Sequence, residues 1–116
     1  MANIKFNYLY RDGSNYKNWA EVVFPNPEKL SVSFISKELG KVFDDNLFIA
    51  HQIRIPEVFD FPDHQLTSDD HCYHEFNNIE VTRDSRNDFY GRSVHQFLSE
   101  VTEASKMGWR AFQRLS

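Results

Sequence analysis

A chain of 116 residues with a formal net charge of -4, 26% charged and 41% hydrophobic residues has the size and composition of one folded domain, able to bury roughly 65% of its unfolded surface. No apolar run approaches the roughly 20 residues of a membrane-spanning helix, and the acidic balance argues against general nucleic-acid affinity, which needs a concentrated basic surface. The opening MANIKFNYLY lacks a basic region followed by an apolar core, and the single cysteine, Cys72, allows no intrachain disulfide, so a reducing, cytoplasmic setting is expected.

From residue 4 to 11 the chain alternates. Ile4, Phe6, Tyr8 and Tyr10 share one face, and Lys5, Asn7, Leu9 and Arg11 the other, which predicts a half-buried strand. Asp12-Gly13-Ser14-Asn15 has turn chemistry. A second strand, from about Trp19 to Phe24, would return antiparallel, with Tyr16 and Trp19 at the loop's return edge. Pro25 and Pro27 remove two backbone donors and end it. A helix follows, with Asn26 or Ser31 as its N-cap. Ile35, Leu39, Val42 and Phe43 form its apolar stripe, and Asp44-Asp45-Asn46 stops it.

A third strand is expected over Leu47 to Ile55, with Ile49, Ile53 and Ile55 on one face and Phe48 and Ala50 on the other. Its imperfect alternation suits a strand covered on both sides or carrying a bulge. Residues 58–61 read as a short extension and 62–70 as a polar loop. The fourth strand is expected over residues 71–82, kinked or turned at Asn77-Asn78. A charged loop carrying Phe89 and Tyr90 leads to a last helix from Ser93 to Leu115. Ser93 and Gln96 make an explicit capping box. Val94, Phe97, Leu98, Val101, Ala104, Gly108, Phe112 and Leu115 form its stripe. Lys106, Arg110 and Arg114 complement the helix C-terminal dipole, which accounts for them without a nucleic-acid ligand. The order β-β-α-β-β-α predicts a single α+β domain over residues 1–116, a two-layer sandwich of an antiparallel four-stranded sheet with two helices on one face.

Reactive side chains are densest from His64 to Glu75. Strand alternation would place Asp70, Cys72 and His74 on one face. Cys72 and His74 could begin a zinc site, with a third ligand from Asp70, His64 or His51. No C-x-x-C or H-E-x-x-H accompanies them. A nucleophilic Cys72 would need His74 or His51 as its base, and no Gly-rich turn beside it supplies an oxyanion hole. No catalytic residue, metal or cofactor is therefore assigned. The alternative kept open is a metal-dependent or cysteine-based enzyme centred on Cys72 and His74.

The other signal is aromatic. Eleven Phe, five Tyr and two Trp make 16% of the chain, more than a small core readily hides, because buried Tyr and Trp need partners for their polar ends. Tyr16, Trp19, Phe89 and Tyr90 fall in or beside long loops, and Arg83, Arg86 and Arg92 alternate with Asp84 and Asp88. Tyr16, Trp19, Arg86, Phe89 and Tyr90 are the expected partner-binding residues, with the remaining loop charges read as solvated. The expectation is a small cytoplasmic protein-binding protein without catalytic activity. It would cover or inhibit a partner in the manner of immunity proteins, antitoxins or phage anti-defence proteins. The partner would be another protein or its own copy, with no nucleic acid and no membrane.

Overall fold

The computed structural model describes residues 2–11, 17–59 and 72–111. The elements run β1 (Asn3–Arg11), β2 (Lys17–Phe24), α1 (Val32–Val42), β3 (Leu47–Phe48), a short 3-10 turn (Ala50–Ile53), β4 (His74–Thr82) and α2 (Val94–Met107). The four strands form one antiparallel sheet in the order β2-β1-β4-β3. Both helices lie on one face, so the α+β two-layer architecture stands as expected.

Alternation builds the core. Ile4, Phe6 and Tyr8 of β1 meet Val22 and Phe24 of β2 and Ile79 of β4 on the inner face, under Ile35 and Leu39 of α1 and Val94, Phe97, Leu98 and Val101 of α2. Phe6 lies at the centre, with the rings of Tyr8, Phe43, Phe48, Phe76 and Phe97 at centroid distances of 5.2–6.2 Å. Such offset and edge-on pairs add to the stability that burial supplies. Ser31 is the cap of α1: its hydroxyl accepts from Phe34 N–H at 3.1 Å. The capping box of α2 is formed, with Ser93 and Gln96 bonded reciprocally.

β4 carries a bulge. Asn78 pairs with Asn7 but Phe76 pairs with Tyr8, so Asn77 is extra. The bulge shifts the phase of the strand, which lets Phe76 and Ile79 face the same core although three positions apart.

Three expectations need correction. The third strand is only two residues long; the chain then turns through the 3-10 turn Ala50–Ile53 and leaves it at Arg54, whose φ is 58°. The tight turn eclipses Ala50 and Ile53, and Ile49, Ala50, Ile53 and Ile55 are all buried. The isoleucines are therefore hidden without a ladder. The fourth strand begins at His74 rather than residue 71 among the described residues. The last helix ends at Met107: Gly108 takes a φ of 91° and its N–H bonds to Ser105 O at 3.1 Å. Gly108 is thus the helix stop and not part of its stripe. Trp109 then folds back, donating from Nε1 to Val42 O at the end of α1, 3.1 Å away. Phe112, Arg114 and Leu115 lie outside the described residues.

Candidate partner-binding surfaces

The expected binding residues divide between two surfaces. Phe89 and Tyr90 stand on the loop leading into α2. Trp19 lies on β2, five residues before Phe24, hence roughly 17 Å along the strand from that end of the sheet. Its side chain belongs to the helix-free face, opposite Leu9. Arg86 is exposed in the same loop as Phe89. Tyr16 lies outside the described residues.

The loop is built on Arg92. This residue reads in the sequence as one charge in an alternating run, yet its side chain is only 5% exposed. All five of its N–H donors are used. Nε and Nη2 make a fork with the two Asp88 oxygens at 2.9 and 2.8 Å. Nη1 donates to Ile53 O at 2.8 Å and to Glu100, and Nη2 also donates to Arg54 O at 2.9 Å. The guanidinium thereby ties the loop to the 3-10 turn and to α2. It also sits 5.3–5.7 Å from the ring centres of Phe24, Tyr90 and Phe97. Burial disfavours a charged Asp88, but the Arg92 hydrogen bonds and charge outweigh it and hold the carboxyl below its usual range.

The aromatic pair rises from this base. Asp88 O accepts from Gly91 N–H at 3.0 Å, and Gly91 has a φ of 66° that a side chain would resist. Phe89 packs edge-on against Tyr90 at 5.2 Å, and Arg54 lies over the other ring at 4.4 Å. Arg54 is itself paired with Glu100. Phe89 remains 89% exposed. A groove of about 430 Å³ opens beside it, lined by His51, Arg54, Ile55, Pro56, Phe89 and Tyr90. The contributions of Arg54, Ile55 and Pro56 escape sequence reading, because they arrive from a segment expected to be a strand.

The acid side of the pH profile follows from Asp88. Its carboxyl is held low only in the folded chain, so its stabilising contribution is complete above about pH 5 and is lost as the pH falls through the ordinary and then the lowered value. Denaturant unfolding at about pH 7 and pH 3 should show Asp88→Asn losing less stability over that interval than the parent chain. Equal losses would remove Asp88 from the acid response.

On the helix-free face Lys5 is a hub, with Asp84 at 2.6 Å, Glu21 at 2.9 Å and Glu80 at 3.8 Å. Hydrogen bonds to Asp84 and then Glu21 raise its affinity for the proton, and Lys5 in turn lowers the Asp84 carboxyl. These contacts tie the start of the loop to the sheet. The expectation that the Arg83–Arg92 charges are simply solvated thus fails at Asp88 and Arg92, whose side chains are buried, while Asp84 stays exposed although it pairs with Lys5. Near Trp19 a shallow groove of about 330 Å³ includes Asn7, Glu21, Asn78 and Glu80.

Cys72 and His74 are both buried. His74 Nε2 accepts from Val58 N–H at 2.9 Å, and its ring lies 4.8–6.1 Å from those of Tyr8, Tyr10, Phe48 and Phe59. Among the described residues no three His, Cys, Asp or Glu side chains converge as metal ligands. His51 is on the 3-10 turn beside Glu57, while His64 and Asp70 lie outside the described residues. No described helix is long and apolar enough to cross a membrane. Compared with family models, curated proteins and solved structures, the chain finds no match in any of the three.

Proposed function

We propose that this chain is a small, non-catalytic cytoplasmic protein that binds a partner protein and acts by covering it, as immunity proteins, antitoxins and phage anti-defence proteins do. The observation that carries this reading is Phe89: a large apolar ring, 89% exposed, held on a loop whose base is a buried guanidinium with every donor satisfied. A loop already held in place loses little backbone freedom when a partner closes over it, and aromatics with a neighbouring Arg are characteristic interface anchors. Tyr90 and Arg54 supply the adjoining polar edge, and Ile55 and Pro56 the apolar floor.

The test is quantitative binding to a protein that co-purifies in a fixed ratio with the chain from its native host. Phe89→Ala should weaken that complex at least about 30-fold, the equivalent of ~2 kcal/mol for an anchor residue. Its thermal midpoint should stay within error of the parent, because so exposed a ring supports little of the fold. A variant that keeps full affinity would remove this loop as the binding surface.

A further inference from the structure

The outer edge of β2 offers a second interaction surface, independent of the Phe89 loop. In the order β2-β1-β4-β3, β2 is an edge strand. At its C-terminal end the edge is closed: Val23 N–H donates to Asn87 Oδ1 at 2.7 Å, and Val23 O accepts from Asn87 N–H at 3.0 Å. Those two bonds show that Val23 turns its backbone away from β1. Antiparallel pairing alternates, so Lys17, Trp19 and Glu21 turn the same way. Among the described residues nothing bonds to these outward groups. Natural edges are usually blunted by a proline, a bulge or a cover. Among the described residues the cover stops at Val23, and Trp19 beside the uncovered part is 54% exposed.

We infer that two copies of this chain pair antiparallel through β2, on a two-fold axis passing beside Trp19. The charges select this occupant and this register. With Trp19 opposite its own copy, Lys17 falls opposite Glu21 of the second copy and Glu21 opposite its Lys17. Each of the three opposed pairs exchanges two backbone hydrogen bonds. Directly opposed unlike charges favour pairing, and like charges oppose it. Centring the axis on Lys17 or Glu21 would set like charges face to face. Sliding so that Trp19 meets Glu21 would require Val23, which Asn87 already holds. Lys5 engages one oxygen of Glu21, Oε2, and approaches it from β1, on the side away from the edge. The product is a continuous eight-stranded sheet, with the Trp19 rings adjacent on the face away from the helices.

Sedimentation equilibrium of the full chain from about 1 to 100 µM tests this. The parent should be a dimer. Lys17→Glu, which breaks no contact within the described fold, should weaken self-association at least tenfold with an unchanged circular dichroism spectrum; Glu21→Lys, which also gives up the ion pair with Lys5, should weaken it at least as much. The double exchange K17E/E21K restores unlike charges in the same register and should recover the dimer. Phe89→Ala should leave the dimer intact, which separates this surface from the one proposed for the partner. A parent that stays monomeric throughout, a dimer that Lys17→Glu leaves untouched, or a double exchange that recovers nothing would each overturn the pairing.

Discussion

Arg92→Met should lower the unfolding free energy by about 3–5 kcal/mol, the range for breaking one side of a buried ion pair. For a chain of this length that corresponds to a fall of about 12–20 °C in thermal midpoint. Methionine fills much of the space but leaves the Asp88 carboxylate buried beside no cation, and it removes the donors to Ile53 O and Arg54 O. Unmet buried acceptors cost more than the bonds themselves contributed. Arg92→Lys should fall between the two, because an ammonium with three donors cannot serve five acceptors or form the planar fork. Combining Arg92→Met with Asp88→Asn should cost clearly less than the sum of the single changes, since the second removes the charge that the first stranded. Urea unfolding of the parent and these four variants measures all of this. A loss below ~1 kcal/mol for Arg92→Met would mean that water replaces the guanidinium.

Phe6→Ala should be comparably damaging, at about 3–5 kcal/mol. Phe6 is fully buried, and five rings surround it. Those rings come from β1, the end of α1, β3, β4 and α2, so the cavity cannot be filled by a shift of one element. Against a typical total stability of about 5–15 kcal/mol, such a loss leaves the fold marginal. Phe6→Leu retains most of the volume and should cost roughly 1–2 kcal/mol. Chemical denaturation distinguishes the pair; equal effects would indicate that ring contacts, rather than volume, dominate.

The elements that sequence periodicity specifies most strongly are those whose burial is one-sided. Ile4, Phe6 and Tyr8 alternate against Lys5 and Asn7, and Ser93 with Gln96 marks the start of α2 by local chemistry alone. The stretch Leu47 to Ile55 differs because nearly every apolar residue in it is buried, so periodicity carries no information about its backbone. The 3-10 turn Ala50–Ile53 diverts it from a strand after Phe48, and the left-handed Arg54, an uncommon position for a side chain, closes that turn. Gly108 matches the spacing of the α2 stripe by coincidence and acts through its positive φ instead. At the candidate surface, Phe89 and Tyr90 are legible as aromatics in a charged loop. Arg92 is not, because two of its acceptors lie 38 and 39 residues away in sequence and nothing local separates it from Arg83 or Arg86. Trp19 shares residue type with the loop aromatics but belongs to a strand edge, a distinction that needs the sheet order.

Asn77 bears on how this chain can change length in evolution. It is the residue of β4 that the ladder with β1 passes over. A relative lacking it would keep Phe76 opposite Tyr8 and Ile79 opposite Phe6 in a plain, less curved strand. A relative with one more residue there, under the same bulge, would turn Ile79 outward and carry Glu80 into the apolar layer. Deletion at this point is therefore permitted where insertion is not, and a length difference between natural variants of β4 should run in that one direction.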